Sequence, residues 1–117
     1  MAESVIHTKS LAFAVKIVKF CKYLSDEKKE YVLSKQLLRS GTSIGANVRE
    51  SKNAQSDADF VSKLNIALKE ADETQYWLEV LHLAEIITDK EFEEISNDIK
   101  EILAILTAIV KKLKVKR

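Results

Sequence analysis

Proline is absent from this chain of 117 residues, and glycine occurs only twice. Folds built from many tight turns draw on both residues, so a β-sandwich or turn-rich barrel is excluded in favour of a few long helices. A single cysteine, Cys21, excludes an intrachain disulfide and fits a reducing compartment. The opening MAESVIHTKS has no basic segment leading into a long apolar run, so no secretory signal is expected. The longest apolar stretch, residues 102–110, is too short to span a bilayer. With neither signal, the expected location is the cytoplasm, and no membrane partner is expected.

What is present is a chain 46% hydrophobic and 32% charged, enough to bury a core in one domain over residues 1–117. The net charge of +1 hides a segregation. Residues 1–55 carry ten Lys/Arg against five Asp/Glu, residues 56–101 four against thirteen, and residues 102–117 five against none. Such a chain suits a polyanion on one surface, and equally the docking of one subunit's basic face on another's acidic face.

Both glycines fall in LLRSGTSIGANVRES, residues 37–51. Gly41 and Gly45 are four apart, which places them on one face of a helix. A helical glycine costs about 1 kcal/mol relative to alanine. The pair therefore needs compensation, and close approach by a neighbouring helix supplies it. The alternative is a helix stop at Gly41, with SGTSIGAN as a phosphate-cradling loop. The apolar period through Leu37, Leu38, Ile44 and Val48 favours the helix, with Lys35, Arg39, Arg49 and Lys52 around the rest.

In chain order, residues 4–24 read as a first helix. Leu11, Ala14, Val18 and Cys21 form one apolar stripe, and Phe13, Ile17, Phe20 and Leu24 a second. That arc is wider than one seam needs, so the helix is either deeply buried or partly turned to a partner subunit. Lys9, Lys16, Lys19 and Lys22 lie outside the stripes, as a solvated face or an anion site. A turn at Ser25-Asp26 is expected to start a second helix over about residues 27–54, with Asp26, Glu27 and Glu30 at its positive end. Ser56 and Asp59 resemble a capping box for a third helix over about 57–87. Its alanines, Ala67 and Ala71, make a thin waist expected to face Gly41 and Gly45. Thr88 and Glu91 form a second capping box, and the three-four rhythm of Phe92, Ile95, Ile99, Ile102, Leu106, Ile109 and Leu113 marks a bundle seam. The expected fold is all-α: an antiparallel up-down-up-down four-helix bundle. At about 1.5 Å per residue it should form a rod of about 35–45 Å.

Catalytic chemistry is sparse. Glu79 and His82 have the Glu-x-x-His spacing of di-iron bundles, but such sites use two copies, and only one is present. Cys21 sits in an apolar stripe and reads as inert core. No Gly-Lys-Ser/Thr ends the glycine run, so it is not a Walker loop. No catalytic residue, metal or cofactor is expected, and the protein is read as a non-enzyme. Trp77 beside the third-helix core stripe reads either as a core edge or as a subunit anchor, and Phe13 and Phe20 join it as interface candidates. The residues proposed to contact nucleic-acid phosphate are Lys16, Lys19, Lys35, Arg39, Arg49, Lys52 and the tail cations Lys111, Lys112, Lys114, Lys116 and Arg117.

The runs SKQLLRSGTSIGANVRES and ALKEADETQYWLE resemble the small helical proteins encoded in intervening sequences of 23S ribosomal RNA genes. The matching signature residues are Arg39, Ser40, Gly41, Thr42, Ser43, Gly45, Asn47, Arg49 and Glu50. The resemblance implies a four-helix bundle that assembles into a ring, expected to be a pentamer. The chain is also similar to the accessory protein of diversity-generating retroelements, a bundle ring that binds nucleic acid and a reverse transcriptase. Together these readings imply a homo-oligomer that binds RNA or DNA, with a protein partner as a further expectation. The competing reading is a structural or adaptor oligomer whose charges serve self-assembly alone.

Overall fold

The structure, a computed structural model, describes residues 2–115, with side-chain environments for residues 4–113. Four helices follow in order: α1 (Ala2–Asp26), α2 (Val32–Ser51), α3 (Asp57–Leu83) and α4 (Asp89–Val115). Cross-helix pairings set their directions. Lys9 meets Glu101 and Lys16 meets Asp98. Ser10 faces Gly45 and Ile17 faces Gly41. Glu50 meets Lys63, and Arg39 meets Glu73. In each case the numbering rises on one helix as it falls on the other. Helix α1 therefore runs antiparallel to both α2 and α4, and α2 antiparallel to α3, which leaves α3 antiparallel to α4. Among the described residues the packed pairs are α1–α2, α2–α3, α3–α4 and α1–α4, with no diagonal pair. The result is the expected up-down-up-down bundle, 46 × 21 × 20 Å.

The seam of α4 packs as its period requires: Ile95, Ile99, Ile102, Leu106 and Ile109 are all buried. They meet Ile6, Phe13, Ile17 and Leu24 of α1, Leu37, Ile44 and Val48 of α2, and Leu64, Ala67, Ala71, Leu78 and Leu81 of α3 in one core. The second capping box forms in full, and the first forms with its return bond displaced by one residue. The Ser56 hydroxyl accepts from the Asp59 N–H at 3.1 Å, and Asp59 reaches back to the Gln55 N–H. Thr88 and Glu91 exchange reciprocal bonds, the Thr88 N–H donating to Glu91 at 2.8 Å and the Glu91 N–H to the Thr88 hydroxyl at 3.1 Å.

Helix ends are where the structure departs from expectation. Helix α2 begins at Val32, not near residue 27, because α1 runs on through Asp26 and the chain reverses at Lys29, whose φ is 57°. Asp26 and Glu27 thus lie outside the start of α2. Only Glu30 serves it, accepting from the Ser34 N–H at 2.8 Å. Helix α3 stops at Leu83 rather than near 87. Glu85 adopts φ 61°, the Ile86 N–H returns to the Leu81 carbonyl, and the Glu85 N–H returns to that of His82. This is a Schellman ending with glutamate where glycine is usual. A side chain in that conformation costs roughly 1–2 kcal/mol. Glu85→Gly is therefore expected to stabilise the protein by about 0.5–1 kcal/mol after the added freedom of the unfolded chain is subtracted. Urea denaturation checks it, and a lowered midpoint would refute it.

Both glycines lie inside α2, and no glycine has positive φ. The helical reading of the signature holds, and the phosphate-loop alternative falls. Their neighbour, however, is α1. A Cβ on Gly41 would lie 2.8 Å from Ile17 Cγ2, and one on Gly45 would lie 3.2 Å from the Ser10 carbonyl oxygen. The expected pairing with Ala67 and Ala71 is thus corrected. Those alanines are fully buried on α3, in line with Thr74, whose hydroxyl donates to Ser40 of α2 at 3.0 Å.

Candidate nucleic-acid interface

The antiparallel order lays the basic first helix beside the acidic fourth. Lys9 pairs with Glu101 at 2.9 Å, and Lys16 pairs with Asp98 while donating to the Glu94 carbonyl at 3.2 Å. On the opposite side of the bundle, Arg39 of α2 bridges Glu70 and Glu73 of α3. Glu73 also accepts from the Trp77 indole N–H at 3.0 Å. That hydrogen bond and Arg39 hold the Glu73 carboxyl below the usual carboxylate range, and Glu73 in turn keeps Arg39 protonated. Much of the segregated charge is thus consumed within one protomer. These pairs are solvent-accessible and contribute at most about 1 kcal/mol each, so they set register more than stability.

The eleven cations proposed for phosphate contact therefore divide. Lys16 and Arg39 are committed to carboxylates. Among the described residues, Lys19, Lys35, Arg49, Lys52, Lys111 and Lys112 join no ion pair and are all exposed. Lys19 and Lys35 lie toward the end formed by the C-terminus of α1 and the N-terminus of α2. Arg49 and Lys52 close α2 at the opposite end, where the antiparallel order also brings the last turns of α4 with Lys111 and Lys112. The Lys114 side chain, Lys116 and Arg117 lie outside the described residues.

His7 belongs to this second end. It lines a groove of about 300 Å³ between α1 and α2 together with Arg49, and a cavity of about 90 Å³ at the bundle end together with Lys52. Burial first, and then Lys52 and Arg49, hold its imidazole below the ordinary histidine range. Sequence inspection pairs His7 with nothing, because the residues around it come from another helix. The signal lies in the register: with Ser10 opposite Gly45 on antiparallel helices, residue 7 falls beside residues 48–52.

The other chemistry-bearing residues are occupied structurally. His82 Nε2 lies 2.6 Å from Asp89 Oδ1, and its ring stacks on Phe92 with centroids 4.2 Å apart, so the Glu79-x-x-His82 motif points to a helix junction. Among the described residues no three His, Cys, Asp or Glu side chains gather as a metal site. Cys21 is buried, and burial pushes its thiol up to about 12.

A profile of the 23S rRNA-intervening sequence protein family matches residues 2–108. The chain belongs to that family. Among solved structures it is similar to a protein of unknown function from the S23 ribosomal protein family of Bacteroides thetaiotaomicron VPI-5482. That protein is 58% identical and superposes with a TM-score of 0.93 over 95% of this chain and 99% of its own. No curated protein matches the chain.

In this intervening-sequence protein the signature stretch is mostly accounted for by packing. Gly41 admits Ile17, Ser40 ties α2 to Thr74, and Thr42, Ser43 and Asn47 bond to carbonyls of their own helix at Leu38, Arg39 and Ser43. Glu50 pairs with Lys63. Arg49 is the signature residue that remains exposed and, among the described residues, in no ion pair. Of the interface candidates, Phe13 is corrected: at 3% exposure it belongs to the protomer core. Phe20 is half-buried beside Tyr23, at the edge of the α1–α4 groove. Trp77 is a core-edge residue with its N–H satisfied, while its neighbour Tyr76 faces solvent.

The first stripe read on α1 follows the second of its two alternatives, with part of it left outside the protomer's core. Leu11 and Val18 are 53% and 49% exposed, with Val15 beside them, and Leu38 of α2 extends the strip. The wide apolar arc is therefore not consumed by the protomer's own core. Among the described residues no helix is long and apolar enough to cross a membrane.

Proposed function

We propose that this protein is a non-enzymatic, cytoplasmic homo-oligomer that binds RNA or DNA through the cations its own ion pairs leave over. The supporting observation is their placement. Arg49, Lys52, Lys111 and Lys112 share one end of the rod, and the run of tail cations follows in sequence. Phosphate attraction needs only clustered cations, and a ring would multiply a modest patch by its subunit number. The ring, with five subunits, is the form carried by the family resemblance, and the exposed α1–α2 strip supports assembly. A protein partner that completes recognition fits the same reading. The adaptor reading is supported by one observation: Lys9, Lys16 and Arg39 are paired with carboxylates of their own protomer, which leaves fewer cations for phosphate.

A salt titration with a labelled single-stranded oligonucleotide separates the two. Binding should weaken with salt with a log–log slope of about −0.7 per neutralised phosphate. Reversing Lys111, Lys112, Lys114, Lys116 and Arg117 to glutamate should flatten the slope, as should reversing Arg49 and Lys52, with the helical spectrum unchanged. Reversing Lys16 or Arg39 should instead place an acid against Asp98 or Glu73 and lower the melting temperature. No retention at low salt, or retention indifferent to every reversal, removes the nucleic-acid reading in favour of the adaptor.

A further inference from the structure

The two concavities at the end of the bundle meet at one side chain. The groove between α1 and α2 carries Arg49 on its wall, the end cavity carries Lys52 on its rim, and His7 lines both. Ser4 and Ser51 also line the end cavity, the Ser51 hydroxyl donating to the Val48 carbonyl at 2.6 Å. Arg49 and Lys52 are each explicable at the C-terminus of α2, where cations offset the helix dipole. That explanation does not reach His7, which comes from α1 and shares one concavity with each of them. Among the described residues, the charged groups acting on it are those two cations, with no carboxylate. The other helices supply apolar neighbours to the end cavity: Phe60 and Leu64 from α3 and Ile109 from α4.

We propose that His7, Arg49 and Lys52 form a phosphodiester site for single-stranded nucleic acid, in which His7 binds its proton together with the phosphate. This rests on the nucleic-acid reading above and narrows it from the cations that share one end of the rod to three residues there. In the free protein a proton on His7, the one partly buried member of the three, adds a third positive charge beside the exposed Arg49 and Lys52. A phosphodiester laid across His7 reverses the balance: its oxygens offset Arg49 on the groove side and Lys52 on the end-cavity side and accept the imidazolium N–H. Proton and phosphate then favour each other's binding, as linkage requires. Affinity should rise as pH falls, by up to about tenfold for each unit by which the phosphate raises the His7 pKa.

The test uses the full chain and a fluorescein-labelled oligo(dT) 20-mer at fixed ionic strength. Proton NMR follows the ring protons of both histidines with and without unlabelled oligo(dT), and anisotropy follows affinity at pH 8 and pH 6. The expected result is an upward shift of the His7 titration on adding oligo(dT), with His82 unmoved and binding about threefold to tenfold tighter at pH 6. His7→Gln should flatten the pH dependence while His82→Gln keeps it, and Arg49→Gln with Lys52→Gln should weaken binding at both pH values. The NMR arm needs no variant, so a misfolded mutant cannot shelter the idea. If oligo(dT) is retained but His7 does not shift, the end site is wrong and the nucleic-acid reading stands on other cations. If oligo(dT) is not retained at either pH, both fall. A His7 shift produced equally by inorganic phosphate in a protein that ignores oligo(dT) overturns the nucleic-acid occupant.

Discussion

Replacing Gly41 with leucine is expected to destabilise the protein by about 3 kcal/mol or more, as a well-packed core offers no room for added atoms. Even alanine should be harmful here. Its Cβ would lie 2.8 Å from Ile17 Cγ2 and 3.0 Å from Cγ1. Ile17 is fully buried, and a β-branched residue in a helix has essentially one rotamer, so it cannot turn aside. The clash should outweigh the gain of about 1 kcal/mol that alanine brings over glycine in a helix. At Gly45 the facing atom is the Ser10 carbonyl oxygen, 3.2 Å from a built Cβ, and the position opens into the surface groove. Gly45→Ala should therefore be close to neutral, the helix gain offsetting a contact that yields by tenths of an ångström. The decisive measurement is a double-mutant cycle by urea denaturation. Gly41→Ala and Ile17→Ala together should cost less than the sum of the two alone, by about 1 kcal/mol or more. Strict additivity would mean that the α1–α2 contact is not what the glycine protects.

The bundle was legible because its signals are local and repeated. The α4 seam needs only a three-four spacing, and the Thr88–Glu91 box needs only two residues and a separation. The helix ends at Lys29 and Glu85 were illegible for a definite reason. Both residues take a left-handed conformation that sequence patterns assign to glycine, and neither is glycine. Nothing local marks them, and the strain is held by the surrounding chain, as the buried Ile87 just beyond Glu85 illustrates. Partner identity was the other gap. The spacing of Gly41 and Gly45 announces a close neighbour but does not say which helix, and Ala67 and Ala71 offered a plausible wrong one. The same limit affected the charges. A sequence shows that acids and bases are segregated, while only the register of antiparallel helices shows that Lys16 and Arg39 are spent within the protomer and that Arg49 and Lys52 fall near His7.

Introducing aspartate at Leu11 and Val18 together is expected to dissociate the proposed homo-oligomer while leaving each protomer folded. Both side chains are about half exposed in the single chain, so the protomer's core loses little when they change. They lie on one face of α1 with Val15 between them, and Leu38 lines a groove with Val18 across the helix boundary. Exposed contiguous apolar strips are expected at interaction surfaces, which motivates the test. Removing the apolar contact and burying a carboxylate in its place should cost about 2–3 kcal/mol per site, or roughly a hundredfold in dissociation constant for each. Light scattering at micromolar concentration should report a multiple of the chain mass for the parent and the single-chain mass for Leu11→Asp/Val18→Asp. Circular dichroism should show the same helix content for both. Phe13→Ala supplies the contrast, since its side chain is 3% exposed within the protomer and its removal should lower stability by about 3–5 kcal/mol instead of selectively separating subunits. A parent that scatters as a single chain at moderate salt would remove the ring. An assembly that survives the double aspartate would move the interface off the α1–α2 strip, to the side of α3 where Tyr76 and Ile66 are exposed.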